Sequence, residues 1–172
     1  LTVSNNILIS GPPGIGKTTL IRNICNAAVD LQLAGFYTEE KRLGGERQGF
    51  ELVGLNGARA VLAHVAIHSP FRVGKYGVDV DSLERFLQPL AFRNPATDLI
   101  VIDEIGKMEC FSAVFRHLTR NALASETPVV ASVAQRGGGF IAEVKKRWDV
   151  RLLNMDWDNR DQLLPQVLGQ LP

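Results

Sequence analysis

The hydrophobic and polar positions of this chain fall into two rhythms. Short, nearly unbroken apolar runs occur at residues 6–10, 99–102 and 127–133, each bounded by polar or turn residues. Runs of that length predict strands buried on both faces. Between them, apolar residues recur three and four apart: Leu20, Ile21, Ile24, Cys25 and Ala28; Leu83, Phe86, Leu87 and Leu90; Phe111, Val114, Phe115 and Leu118; Phe140, Ile141, Val144 and Trp148. That spacing predicts amphipathic helices. Asp79 or Asp81 caps the second of them, and Pro89 kinks or ends it. Residues 150–155 read as another strand. A last helix follows with Leu163, Leu164, Val167 and Leu168, and Asn159 as its cap. Strands and helices in alternation predict an α/β fold, a mostly parallel sheet flanked by helices on both faces.

Residues 35–65 break the alternation. Residues 35–42 are rich in strand formers, 43–46 make a turn, and 47–55 alternate loosely. Asn56-Gly57 is a two-residue hairpin signal, because both residue types tolerate positive φ, and 58–65 forms the returning strand. An antiparallel meander is therefore added to the sheet. Residues 72–77 read as a glycine-broken basic loop, and 134–139, with three consecutive glycines, as a mobile loop. No repeat or linker interrupts the 172 residues, which read as a single domain.

Composition narrows the picture only slightly. The chain is 45% hydrophobic and 22% charged, as globular domains are, and its net charge is +1. Bulk charge makes no case for a nucleic-acid or membrane partner. No apolar run approaches the ~20 residues of a membrane span, and residues 1–10 are too short and uncharged for a signal peptide. A cytoplasmic monomer is the expectation. Cys25 and Cys110 lie far apart without metal-ligand spacing and read as small apolar residues. His64, His68 and His117 have no cysteine cluster near them, so zinc is not expected.

The chemistry concentrates in two stretches. Gly11-Pro12-Pro13-Gly14-Ile15-Gly16-Lys17-Thr18 fits G-x-x-x-x-G-K-[ST], the phosphate-binding P-loop, between a strand and a helix. Loop N–H groups and the helix N-terminus, through Thr19, then converge on phosphate oxygens. Lys17 reaches the β- and γ-phosphates, and the Thr18 hydroxyl ligates Mg²⁺. The second stretch is Asp103-Glu104, at the C-terminal end of a buried strand, where parallel sheets bind ligands. Asp103 suits the metal. Glu104, turning inward as the strand ends, suits the attacking water. Lys107 is the best-placed cation for the γ-phosphate among Arg42, Arg47, Arg72, Lys75 and Arg136. Ser132, on a strand expected between those of the two motifs, is a hydrogen-bond donor to the γ-phosphate or the water. No Asn-Lys-x-Asp stretch reads guanine, so base selectivity is expected to be loose. Tyr37, Phe71 and Tyr76 are candidates for stacking on a base. The residues leave three readings open: a nucleoside-triphosphatase, a nucleotide or small-molecule kinase, and a nucleotide-gated binding module.

The order Gly35-Phe36-Tyr37-Thr38-Glu39-Glu40, Arg47-x-Gly49-Phe50, Arg72-Val73-Gly74-Lys75-Tyr76-x-Val78-Asp79, then Val101-Ile102-Asp103-Glu104-Ile105-Gly106-Lys107-Met108-Glu109 resembles the nucleoside-triphosphatases of the thermophile and human cancer-related type. Asn159-Arg160 with Leu163-Leu164-Pro165 is similar to that family too. The resemblance spans essentially the whole chain. It implies a P-loop fold with an extra strand between the P-loop strand and the acidic strand. It implies slow, Mg²⁺-dependent hydrolysis of ATP, GTP and other triphosphates to the diphosphate and phosphate. Nucleotide contacts are implied from Gly11 to Thr18 and from Val101, Ile102, Asp103, Glu104, Ile105, Gly106, Lys107 and Met108. Glu39, Glu40, Arg42 and Arg47 recur in the family pattern, which implies that some of them approach the site. Cys110 departs from the apolar residue that the pattern calls for, a change of packing only.

Overall fold

The computed structural model describes residues 6–90 and 92–172; residues 1–5, half of the opening stretch considered above, lie outside it. Among the described residues one sheet of nine strands forms the frame. In chain order the strands are β1 (Asn6–Gly11), β2 (Leu33–Leu43), β3 (Glu46–Gly54), β4 (Arg59–His64), β5 (Arg72–Val73), β6 (Tyr76–Val78), β7 (Leu99–Ile105), β8 (Val129–Ala134) and β9 (Val150–Asn154). Across the sheet they run β5-β6-β4-β3-β2-β7-β8-β1-β9. From β2 to β9 every neighbouring pair is parallel. From β2 to β5 every pair is antiparallel. The long β2 serves both halves: residues 33–36 pair with β7, and 36–43 pair with β3. The meander is thus a continuation of the main sheet.

Five helices among the described residues cover it: α1 (Lys17–Ala27), α2 (Val80–Leu87), α3 (Ala113–Leu123), α4 (Phe140–Lys145) and α5 (Arg160–Leu168). Side-chain alternation along the strands divides the core between the two faces. Ile7, Ile9, Leu99, Val101 and Val130 pack with α1 and α5 through Leu20, Ile21, Ile24, Leu163 and Val167. Leu8, Ile100, Ile102 and Ala131 pack with α2, α3 and α4 through Leu83, Phe86, Phe115, Ile141 and Val144. Each fully buried Leu, Ile or Phe contributes on the order of 2 kcal/mol. No described helix is long and apolar enough to cross a membrane.

Several local expectations change. Residues 72–77 form a tight hairpin, β5-β6, turned by Gly74 at φ 57. In the 54–58 turn only Gly57 has positive φ. Asn56 instead accepts the Ala58 N–H on its side chain, so the loop has three residues rather than two. Asp79 caps α2 by accepting the Ser82 N–H, and the helix ends before Pro89. Phe111 falls in a single 3-10 turn, Glu109–Phe111, so α3 starts later and Val114 faces outward, 40% exposed. Trp148 lies beyond α4 and is 77% exposed. Asn159 bonds backward, accepting the Asp156 N–H and donating to the Asn154 carbonyl, and does not cap α5 with its side chain. Pro165 sits inside that helix. Both cysteines are half-buried thiols, which burial pushes up to about 11 at Cys25 and about 12 at Cys110.

Candidate active site

The P-loop leaves the end of β1 and enters α1 through Gly14 and Gly16, at φ 79 and φ 109. Only glycine holds such angles without strain. Ile15 anchors the loop in the core. Gly11 is needed for a second reason: a Cβ there would lie 2.6 Å from the Met155 carbonyl, on the connection that follows β9. No side chain caps α1. Its first-turn N–H groups have no acceptor within the helix, and an anion can take them.

Strand alternation places the second motif opposite. Leu99 and Val101 face α1, so Asp103 does too, and Ser132 follows Val130 onto the same face. Thr18 donates from its hydroxyl to Asp103 Oδ2 at 2.7 Å. Ser132 donates to Oδ1, and the Thr38 N–H to Oδ2 at 3.3 Å. The Thr38 hydroxyl donates to the Asp103 backbone carbonyl at 2.6 Å. Asp103 is only 2% exposed. Burial pushes its carboxyl up, and the donors from Ser132, Thr18 and Thr38, with the Lys17 charge, pull it back.

Glu104 joins the site without the strand ending. The β7-β8 register shifts between Ile102 and Ile105, so β7 carries one extra residue there: Glu104 leaves the alternation that places Asp103, and Ile105 returns to the face of Ile102. The Asp103–Glu104 peptide is cis. Glu104 Oε2 lies 3.9 Å from Lys17 Nζ. Lys17 itself donates to the Gly11 carbonyl at 3.0 Å and to the Pro12 carbonyl at 3.4 Å. Burial pushes the Glu104 carboxyl up; Lys17 opposes this, Asp103 adds to it, and Lys145 opposes it more weakly. Behind it Glu109 is 4% exposed and is pushed well above the carboxylate range by burial and by Glu104. Gly106 leaves room for both: a Cβ there would lie 2.9 Å from an oxygen of each glutamate. Three carboxyls thus crowd together, and the Lys17 charge acts on two of them, Asp103 and Glu104.

A family model described as NTPase matches residues 6–168. The chain belongs to the NTPase family. It is similar to the nucleoside-triphosphatase THEP1 of Thermotoga maritima, 41% identical with 96% of this chain and 94% of that one covered. It is also similar to the human cancer-related nucleoside-triphosphatase, 36% identical with 96% of each covered. The crystal structure of THEP1 from the hyperthermophile Aquifex aeolicus superposes with a TM-score of 0.86 at 33% identity, covering 96% of this chain and 98% of that one.

Within this NTPase fold the sequence motifs meet unevenly. Lys17, Thr18, Asp103 and Glu104 converge, and Gly11, Pro12, Pro13, Gly14, Ile15, Gly16 and Thr19 form the loop and helix start around them. Val101, Ile102 and Ile105 are fully buried, with their side chains in the two core clusters. Gly106 turns the chain, Lys107 is exposed beyond it, and Met108 is half-buried. Ser132 stands on β8, between β7 and β1, as expected from the sequence, and its hydroxyl donates to Asp103. Two residues escaped the sequence reading. Thr38 lies inside the Gly-Phe-Tyr-Thr-Glu-Glu stretch and reaches the site where its charged neighbours do not. Glu39 pairs with Arg59, and Glu40 with Arg42 and Arg47. Lys145, from α4, donates to the Gln135 carbonyl at 2.8 Å near Glu104. Only tertiary structure brings it there.

Proposed function

We propose that the protein hydrolyses nucleoside 5′-triphosphates, ATP and GTP among them and with low base selectivity, to the diphosphate and phosphate. The observation that carries this is the convergence on one point of the 2.7 Å Thr18–Asp103 hydrogen bond, Lys17 and Glu104. It joins a phosphate cradle, a pair of oxygen ligands and a base. The membership of the NTPase family supports the same reading.

The residues fit Mg²⁺. Thr18 and Asp103 offer oxygen donors side by side, as a hard cation requires, and Glu104 and the buried Glu109 add negative charge beside them. Bound there, Mg²⁺ would neutralise charge on the β- and γ-phosphates. The chain supplies the rest. The loop from Gly11 to Thr19 holds the phosphates through its N–H groups, which Pro12 and Pro13 lack, and Lys17 exchanges its carbonyl partners for phosphate oxygens. Glu104 takes a proton from water while the water oxygen bonds to the γ-phosphorus and the β–γ bridge oxygen leaves with the diphosphate. Its raised pKa makes it a stronger base than an ordinary carboxylate. Lys107 is assigned to the γ-phosphate at the mouth. Among the described residues no arginine bonds to Asp103, Glu104 or Lys17. An in-site arginine is worth ~10³–10⁵ in rate, so turnover is slow.

A kinase reading has one supporting feature, a cleft of ≈ 430 Å³ lined in part by Lys107, Phe111 and Arg116. The test separates the two. Purified protein with Mg²⁺ should release phosphate from ATP, GTP, CTP and UTP. Glu104→Gln should lower kcat by ~10²–10⁴ with nucleotide affinity nearly unchanged. Full activity in that variant would remove Glu104 from the reaction, and transfer of labelled γ-phosphate to a small-molecule acceptor would favour the kinase.

A further inference from the structure

The phosphate end of the site says which way the rest of a nucleotide points. The γ-phosphate end is marked by Lys17, Asp103 and Glu104, on the β7 side of the P-loop. The sheet order there is β7-β8-β1-β9. A triphosphate that starts at β7 and crosses the loop on β1 carries its ribose and base toward β9.

The connection between β9 and α5 waits at that end. It is pressed against the P-loop: the Met155 N–H donates to the Ser10 carbonyl at 2.6 Å, and its carbonyl touches the Gly11 Cα region. The methionine Cε lies 3.7 Å from where a Gly16 Cβ would stand. Local hydrogen bonds lock the turn. Asp156 accepts the N–H groups of Asp158 and Asn159, both at 2.9 Å, and Asn159 bonds back to Asp156 and Asn154. On this rigid turn stands Trp157, 67% exposed, with the Arg160 guanidinium 4.8 Å from its ring centroid. This large ring, two residues beyond the Met155 that meets the P-loop, is left mostly to solvent.

The aromatic residues that the sequence reading offered to the base stand elsewhere. Tyr76 is buried and bonded to Arg47; Tyr37 lies under Arg22; Phe71 packs on Phe111. Tyr37 and Tyr76 are on strands β2 and β6, across the sheet from β9.

We propose that Trp157, steadied by Arg160, is the nucleobase platform, on which the base of the bound triphosphate stacks. This deepens the proposed function and rests on it. Stacking suits every base because each has a π-face, so a platform of this kind binds without selecting strongly.

The chain has two tryptophans. Trp148 precedes β9, at the opposite end of the strand, so Trp148→Phe leaves Trp157 as the sole reporter. In that background, ATP or GTP with Mg²⁺ should quench the emission saturably, while inorganic tripolyphosphate should displace the nucleotide without quenching. Trp157→Ala should weaken ATP binding about tenfold or more, given ~1–3 kcal/mol per stacked base, and leave tripolyphosphate binding unchanged; Trp157→Phe should restore most of the loss. Saturating ATP that leaves Trp157 emission unchanged would overturn the platform alone, as would a Trp157→Ala variant that binds ATP as wild type does. The phosphate site would still stand. Wild-type protein that binds neither ATP nor tripolyphosphate would overturn the phosphate site and the platform with it.

Discussion

A carboxylate as buried as Asp103 is tolerated because donors meet both of its oxygens, Ser132 on one and Thr18 with Thr38 on the other. Glu109 is less well served. It is buried behind Glu104, and both burial and that neighbour push its carboxyl well above the usual range. The consequence for stability has a definite sign. The folded state keeps the Glu109 proton at pH values where the unfolded chain has released it, so stability falls as pH rises from about 4.5 toward the folded pKa. Glu109→Gln should therefore raise Tm at pH 7–8, by about 2–4 °C per kcal/mol recovered, and give no gain near pH 4. Thermal melts of both proteins across that range check it; an equal gain at all pH values would show that charge is not the cause. Asp103 was legible from its place at the end of an apolar run. The partnership of Ser132 with it was not. Asp103 and Ser132, on the adjacent strands β7 and β8, are 29 residues apart in sequence, and a serine on a buried strand carries no local mark of what lies beside it.

At the scale of elements, β2 is the hinge of the architecture, because one strand pairs in parallel with β7 and antiparallel with β3. Gly35 stands in the parallel part at φ 132, and a Cβ there would lie 1.8 Å from the Val101 carbonyl. Gly35→Ala should cost about 3 kcal/mol or more, since both the angle and the approach forbid it. Urea unfolding measures this; a loss below ~1 kcal/mol would show that β2 can withdraw from β7 freely. The strands and helices of the main sheet were readable from apolar periodicity. The basic segment at 72–77 was not. Strands of two and three residues are too short to show a period, and the pairing of β6 with β4 is a long-range event. The strand-end turn expected at Glu104 is a bulge within β7, because the core continues through Ile105.

At the scale of the molecule, the proposed site touches several parts of the sheet at once: the P-loop after β1, the carboxylates of β7, Thr38 of β2 and the turn after β9. A ligand bound across them stabilises the whole sheet. Nucleotide with Mg²⁺ at 100 times its Kd should add about 2.7 kcal/mol, which raises Tm by roughly 5–10 °C. Lys17→Ala should abolish the shift, because the side chain that leaves the Gly11 and Pro12 carbonyls for phosphate is gone. Differential scanning calorimetry reads this directly; a full shift in the variant would place the nucleotide elsewhere.

Local chemistry determined much of this protein from sequence alone. Glycine spacing specified the phosphate loop, apolar runs specified the buried strands, and the Asp-Glu pair after one run specified the acidic end, because each depends on residues close in the chain. Tertiary structure alone decided that Thr38 and Ser132 secure Asp103, that a bulge turns Glu104 inward, and that Lys145 stands near it. It also decided that Trp157 stands mostly exposed on the turn that Met155 holds against the P-loop. Each of these depends on strand order and register, which are set by burying two faces of one sheet at once and leave no trace in any short stretch of sequence.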